Sequence, residues 1–496
     1  MAEREEQIQE KSGGGSPIPP LTRRQEILRR TLHVIVYLFS LGLIVVPLAR
    51  EQANRKANAW RILSSPYPPP PWTTMVQARA QLHTHTTQSE GVLPPHEVID
   101  RYAAIGTAVL ALTDHNEVTW PWTQLSALPL KGRSRRNTSV SLDNRDPKAL
   151  GMIAIGGCEW SDHHHMSAWF TEHSGRSNEI ESLRESLASY PETLAIFNHP
   201  GRYTKPAEWY TAHFRAFPSL IGMEVYNQGD RYPGDRVLWD TVLSALMPER
   251  PVWGFSNDDM HEISDIGRNW NVLLLTNRSD SAVREALVNG HFWFVYSPLG
   301  PTGPPPPIIH AIETHERKGT ITIATSGATQ TLWISEGRVV ATGTTFQAVN
   351  HPDARRYVRA LVQGTGGVVG TQPFPLYRPL ELDLEVRFDG GRNMVINDDR
   401  FRVKARLTAV NKSSRLVKPF VEARFRDRRL FIKGAPYLQP EEHHCFDFTI
   451  PGTAFYADTP ITIHAMVDDT FEPYHEVVLY PSLPKAIPPE KYRSQQ

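Results

Sequence analysis

Gln81-Leu82-His83-Thr84-His85-Thr86-Thr87-Gln88-Ser89-Glu90-Gly91 is the stretch on which the reading of this chain turns. As a strand running into a loop, its period-two alternation puts His83 and His85 on one face, where two imidazoles can grip one cation. Glu90 lies within reach, five residues further on. A half-buried strand can equally carry two such histidines as hydrogen-bonded side chains, so this stretch alone leaves both readings open.

Beyond Gly91 the chain alternates strand and helix. Pro94-Pro95 marks a helix start, and His96 to Ile105 carries Val98, Ile99, Tyr102 and Ile105 on one side before Gly106. Ala108 to Thr113 is a buried strand in type and ends on Asp114-His115-Asn116. Met152 to Ile155 leads to Gly157-Cys158-Glu159, and Met166 to Phe170 comes after three histidines, His163 to His165. Leu194 to Phe197 ends on Asn198-His199-Pro200, Leu220 to Tyr226 on Asn227, and Val252 to Phe255 on Ser256-Asn257-Asp258-Asp259-Met260-His261. Helical segments lie between, over Glu179 to Ser189, Asp235 to Leu246 and Asp280 to Asn289. Each polar residue taken singly could cap a helix or make a turn. Recurrence at the carboxyl ends of successive strands is the sequence form of a closed (β/α) barrel, whose loops converge on one point.

These motifs resemble, in their order, the PHP (polymerase and histidinol phosphatase) family of metal-dependent hydrolases. His83-Thr84-His85 with Ser89-Glu90-Gly91, Thr113-Asp114-His115, Gly157-Cys158-Glu159, Asn198-His199-Pro200 and Asp259-Met260-His261 are similar to that family's successive motifs, over roughly Gln81 to Ser297. The resemblance implies an α/β fold, a distorted (β/α)7 TIM-like barrel holding two or three divalent ions. It implies one ion on His83, His85, Glu159 and Asp259, a second on Glu159, His199 and His165 with His164 as fallback, and a third on Glu90, His115 and His261. Mixed imidazole and carboxylate donors suit Zn, Mn or Fe. Glu159 and Asp259 would be catalytic through the ions they hold, and Asp114 would orient an imidazole. Such ions lower the pKa of water and neutralise charge on a phosphoryl or acyl oxygen. Cys158 reads as a small packed residue rather than a nucleophile.

Arg202 is the first choice for a substrate phosphate, with Arg231 and Arg268 in later loops. Trp120-Pro121-Trp122 and Trp160 either wall a pocket or pack the core. The run Lys131-Gly132-Arg133-Ser134-Arg135-Arg136 reads as a solvated loop.

The chain has 496 residues, 53 basic and 53 acidic, so a broad electrostatic footprint for duplex nucleic acid is not expected. Two distant cysteines give no disulfide framework. Residues 1–30 read as a disordered tail and Thr31 to Ala49, TLHVIVYLFSLGLIVVPLA, as one transmembrane helix. Arginines on both sides leave orientation open, with the large domain expected extracytoplasmic. Residues 50–77 read as a Pro-rich spacer and 78–298 as the barrel. Residues 308–378 are expected to form a small β domain, 380–482 a β-sandwich and 483–496 a disordered tail.

The sequence therefore predicts a membrane-anchored phosphoesterase acting on nucleotides, oligonucleotide 5′ ends or small phosphate esters, with the β domains free to bind a protein partner. The alternatives are hydrolysis of a non-phosphate ester, carbamate or amide, and a catalytically silent barrel serving as a tethered binding module.

Overall fold

The structure is a computed structural model that describes residues 61–62, 64–129, 141–175, 178–315, 318–348, 351, 353–377, 380–387, 402–412, 416–426, 428–451, 461–467 and 475–479. In chain order the elements of the first part are β1 (Arg61–Ile62), β2 (Val76–Gln81), α1 (Pro95–Ala104), β3 (Val109–Ala111), β4 (Ile153–Ile155), β5 (Gly157–Trp160), β6 (Met166–Trp169) and α2 (Glu179–Ser189). They continue with β7 (Leu194–Phe197), α3 (Ala207–Ala216), β8 (Leu220–Asn227), α4 (Gly234–Leu246), β9 (Trp253–Asn257), β10 (Asn269–Leu275), α5 (Asp280–Asn289) and β11 (Phe292–Tyr296). Local chemistry sets the helix ends. Pro95 begins α1 and turns Val98, Ile99 and Tyr102 inward. Asn178 and Ser279 cap α2 and α5, accepting from the amides of Glu181 and Ala282 at 3.1 and 3.2 Å. Gly290, at φ 72°, closes α5 in the left-handed region that glycine reaches without strain.

The strands do not close into the expected ring of seven βα units. Among the described residues they lie in two sheets, one ordered β5-β6-β7-β8-β9 and a larger one containing β11-β10-β2-β3-β4. Only β2/β3, β3/β4, β7/β8 and β8/β9 are parallel; β6, β10 and β11 run antiparallel to their neighbours. Antiparallel neighbours need no helical crossover, which removes the regular alternation a closed barrel requires. Gly156 separates β4 from β5, so consecutive strands enter different sheets. On the other side the joint is made by side chains: Asn271 accepts from the Ser256 amide at 3.1 Å and Ser256 donates its hydroxyl to Val295 O at 2.7 Å. The sheets also meet through isolated bridges Thr84–Met260 and His115–Glu159. One apolar cluster draws on both, including Leu82, Ile155, Ile196, Phe255 and Leu273.

The expected spacer is partly structural. Tyr67 and Trp72 are buried, Tyr67 donates to Phe292 O at 3.0 Å and accepts from the Gln372 amide at 2.7 Å, and Trp72 stacks on Trp293 at 5.7 Å. Aromatic anchors among the prolines thus fasten this strap to the sheet.

The next elements are β12 (Ile308–His315), β13 (Thr320–Ser326), β14 (Gln330–Ser335), β15 (Arg338–Thr342), β16 (Thr345–Gln347), β17 (Tyr357–Gly364), β18 (Gly367–Gly370) and β19 (Phe374–Tyr377). β12, β13 and β16 form a sheet of their own. β18, however, pairs with β11, and β17, β19 and β1 extend the same large sheet. The region expected as a separate small β domain therefore shares its hydrogen-bond ladder with β11, β10 and β2. Beyond it, β20 (Leu380–Arg387), β21 (Arg402–Asn411) and β24 (His443–Pro451) form one sheet. β22 (Pro419–Phe425), β23 (Arg428–Gly434), β25 (Ile461–Val467) and β26 (His475–Leu479) form another, with Leu407, Val421, Phe446 and Ile463 in their common core.

The expected tails 1–30 and 483–496, the apolar run 31–49 and the basic run 131–136 lie outside the described residues. Among the described residues no helix is long and apolar enough to cross a membrane.

Candidate metal centre

The extended chain beyond β2 carries His83 and His85, and their alternation brings the two Nε2 atoms to 3.2 Å. His115 comes after β3, His199 after β7, and Asp259 and His261 after β9; Glu159 lies within β5 and His165 just before β6. The loops are pinned to one another: the Asp259 amide donates to His83 O at 3.0 Å and the His85 amide to Met260 O at 3.1 Å. All nine expected ligands converge. His83 Nε2 lies 3.3 Å from Glu159 Oε1 and 3.2 Å from Asp259 Oδ1; His85 Nε2 lies 3.4 Å from Glu159 Oε2 and 2.9 Å from Asp259 Oδ1. His165 Nδ1 and His199 Nε2 approach Glu159 Oε1 at 3.0 and 3.5 Å. Glu90 Oε1 sits between His115 Nε2, at 2.8 Å, and His261 Nε2, at 2.6 Å.

The grouping differs in one respect from that implied by the resemblance. His115 is not confined to a third cluster, because its Nδ1 lies 2.8 Å from Glu159 Oε2. The possible ion-holding sets are His83–His85–Glu159, His115–Glu159–His165 and His85–His115–His261, so His115 lies between sites.

Burial opposes charge on Glu159 and Asp259, yet the His83 charge and the surrounding imidazoles hold both carboxyls well below the usual range. Burial alone would depress His115, but contacts with Glu159 and Glu90 push it up to about 10. Hydrogen bonds from His115 and His261 drive Glu90 below ordinary carboxylates.

The residues fit divalent ions on the geometry of their lone pairs. Glu159 Oε2 and His115 Nδ1 are 2.8 Å apart without the alignment of a hydrogen bond, and both are buried with no hydrogen-bond partner. Donors about 2.1 Å from a shared ion stand about 3.0 Å apart on an octahedron and about 3.4 Å on a tetrahedron. Most of the separations above fall close to that window. Buried polar atoms crowded this way, aimed at shared points and not at one another, are an arrangement that a cation resolves.

The centre floors a cleft of ≈ 260 Å³ lined by Glu90, His115, Glu159, His165, His199 and Asp259, with Arg202, Arg231 and Tyr232 also on its wall. No family model and no curated protein matches this chain. Among solved structures, a two-domain protein from Bacteroides vulgatus containing a predicted PHP-like metal-dependent phosphoesterase is 14% identical. The match covers 83% of this chain and 97% of that one, with a TM-score of 0.36. A protein from Bifidobacterium adolescentis described as a metal-dependent phosphoesterase is 16% identical over 45% of this chain and 98% of that one, at TM-score 0.26. The chain's structural neighbours are PHP-like metal-dependent phosphoesterases. An amidohydrolase from Chromobacterium violaceum, with bound sulfate and no metal, is 17% identical over 37% of this chain and 88% of that one, at TM-score 0.26.

Of the two neighbouring histidines, His165 faces Glu159, whereas His164 bonds Tyr210 Oη at 2.8 Å and stacks on Tyr203. Asp114 does not contact an imidazole or line the cleft, contrary to its expected catalytic and orienting role. It accepts from the Thr86 amide and Ser89 Oγ at 2.7 Å and from Thr119 Oγ1 at 2.5 Å, fixing the loop; Ser89 Oγ in turn lies 3.4 Å from His85 Nδ1. Arg268 does not line the cleft, while Trp122 and Trp160 are core residues, and Trp120 packs against Gly156. Burial pushes the Cys158 thiol up, as a packed residue requires.

Two buried residues carry contacts that were not among the expected roles. Asn198, named only as part of the Asn198-His199-Pro200 motif, donates to Glu159 Oε1 at 2.7 Å, and Glu224, inside β8, accepts from His83 Nδ1 at 2.9 Å. One signal was present in the sequence, a glutamate inside an otherwise apolar strand ending beside the site.

Asp235, at the start of α4, supports the His199–Arg202 loop by accepting from the Gly201 amide at 2.5 Å, and its other oxygen has no partner. Burial pushes its carboxyl from 3.8 up to about 8. Because the folded value is raised, this group's contribution is complete below about pH 4 and is lost as pH rises through about 8. Asp235→Asn should flatten that decline; equal slopes of stability against pH for parent and variant in urea unfolding would refute the assignment.

Proposed function

We propose that this chain is a PHP-type metal-dependent hydrolase of phosphate esters, acting on nucleotides, oligonucleotide 5′ ends or small phosphate esters. The observation that carries the reading is the convergence of nine imidazole and carboxylate donors on shared points. Two or three ions of Zn, Mn or Fe would be held by His83, His85, Glu159 and Asp259, by His165 and His199 with Glu159, and by Glu90, His115 and His261. When bound they would supply Lewis acidity and lower the pKa of water. The chain's own part is to orient. Asn198 and Ser89 hold Glu159 and His85. Arg202 and Arg231, which form no ion pair among the described residues, offer charge to a phosphoryl oxygen beside the ligands. Those guanidinium groups favour phosphate over a neutral amide or carbamate.

We further propose that the apolar run 31–49 tethers the enzyme to a membrane, with the catalytic domain extracytoplasmic and the sandwich available to a protein partner; the support is the sequence pattern.

The test uses the full chain in detergent. Metal content is measured by elemental analysis, and hydrolysis is assayed on a phosphomonoester, a phosphodiester, a carboxyl ester and a carbamate. Arg202→Ala should lower kcat/KM for the phosphate ester by roughly 10- to 100-fold, the worth of a charged hydrogen bond, and leave any carboxyl-ester turnover unchanged. Turnover of the carbamate alone would replace the phosphoesterase reading, and a metal-free, inert parent would end it.

A further inference from the structure

We infer that Glu224 is the positioning residue that sets which ring nitrogen of His83 faces the metal centre, and that it ties the ligands of two ions together. The inference rests on the metal reading above. Glu224 lies in β8, fully buried, and its two oxygens accept four hydrogen bonds. Oε1 takes His83 Nδ1 at 2.9 Å and Asn257 Nδ2 at 2.8 Å; Oε2 takes the His199 backbone amide at 2.9 Å and Asn227 Nδ2 at 2.8 Å. A carboxylate offers about four lone-pair positions. All are used, so Glu224 has none left for an ion and does not act as a ligand.

Its effect is exerted through its partners. The Asn257 and Asn227 amides and the His199 backbone N–H all donate to these two oxygens, which act as acceptors, so the His83 nitrogen facing Oε1, Nδ1, is the one that carries the hydrogen. That leaves Nε2 as the nitrogen available to an ion, and Nε2 is the atom 3.2–3.3 Å from His85, Asp259 and Glu159. The other oxygen holds the amide of His199, a non-glycine residue at φ 29°, a conformation that persists only where its surroundings fix it. His83 belongs to the first ion's ligands and His199 to the second's. One carboxylate therefore places both, and Asn227 and Asn257, at the ends of β8 and β9, hold that carboxylate from either side.

Glu224→Gln preserves shape but offers one oxygen and one NH2 group. If the NH2 group turns to His83, Nδ1 must accept and the hydrogen moves to Nε2, closing the ligand position. If it turns to His199, two donors face each other and the strained loop is released. The expected result is a 10- to 100-fold weaker retention of zinc in chelator competition, the range found when partners of metal-bound histidines are removed. A second readout is the ring-nitrogen NMR spectrum of the zinc-treated protein, where the parent should show the His83 hydrogen on Nδ1 and the variant should not. A role in folding alone would lower thermal stability and move neither the tautomer nor the zinc affinity relative to the remaining folded fraction. Glu224→Asp, which keeps the charge, is the companion variant should Glu224→Gln fail to fold. It should keep the Nδ1 hydrogen and lose less zinc affinity. Parent-like zinc retention and tautomer in the folded glutamine variant would overturn this inference alone, whereas a parent that binds no zinc, manganese or iron would overturn the metal reading with it.

Discussion

Replacing His83 and His85 together by alanine is expected to remove most of the bound divalent ion and to lower kcat/KM on any ester the parent turns over by at least about a thousand-fold. The size reflects what the ions supply: Lewis-acid stabilisation worth several kcal/mol, with each 1.36 kcal/mol a factor of ten. These two imidazoles are the nearest basic groups to Asp259 Oδ1, at 3.2 and 2.9 Å, and both touch Glu159. Without them Glu159 and Asp259 would be buried carboxyls with less positive charge to oppose them, so their pKa values would rise and protons would replace the cation. The metal-free variant should accordingly tolerate acid better than the metal-free parent, whose depressed Glu159 and Asp259 contribute stability above their unfolded pKa values and lose it as pH falls. Glu90, His115 and His261 remain, so a residual ion is compatible with the prediction. Elemental analysis, turnover and circular dichroism decide it, and a folded variant with the parent's full metal content and rate would disprove the site.

Much of that centre was legible in the chain because its information is local. Histidines two apart on an extended segment share a face whatever the rest does, and polar residues that recur after apolar strands point to a common end of a sheet. Residue choices that depend on what lies opposite were not legible. Asp114 precedes a ligand and looks like an imidazole partner, but the hydroxyls of Thr86, Ser89 and Thr119 reach it first. Glu224 sits in a strand whose eight residues are all buried, so no periodicity marks it, and its role depends on His83 141 positions away. The order of strands within sheets is equally non-local. Nothing in residues 357–377 announces that β18 will pair with β11, or that Tyr67 in a proline-rich run will accept a hydrogen bond from Gln372.

That shared sheet leads to the second large effect, at Arg359. Arg359→Ala should destabilise the part of the chain built on the large sheet by about 3–5 kcal/mol, the usual result of removing one partner from a buried ion pair. Arg359, on β17, donates from Nε to Asp240 Oδ1 at 2.9 Å and from Nη2 to Oδ2 at 2.6 Å; Tyr357 Oη adds a third bond to Oδ1 at 2.8 Å. Both charged side chains are more than nine-tenths buried, and the guanidinium lies 4.9 Å over the Trp239 ring. Alanine at 359 would leave the buried Asp240 carboxyl without its charged partner and with one neutral hydroxyl for company. Removing both charges is a different perturbation, since an apolar pair of similar volume costs little, so Asp240→Leu with Arg359→Met should recover most of the loss. Urea unfolding monitored by tryptophan fluorescence, with hydrogen exchange to separate the sandwich from the large sheet, measures this. If residues 357–377 were an independent domain, the alanine variant would expose only their own amides. Because β17 and β18 continue into β11, β10 and β2, which leads directly to His83, protection should fall across that whole ladder. An alanine variant within about 1 kcal/mol of the parent, below the cost of one unpaired buried charge, would show that the pair does not secure the sheet.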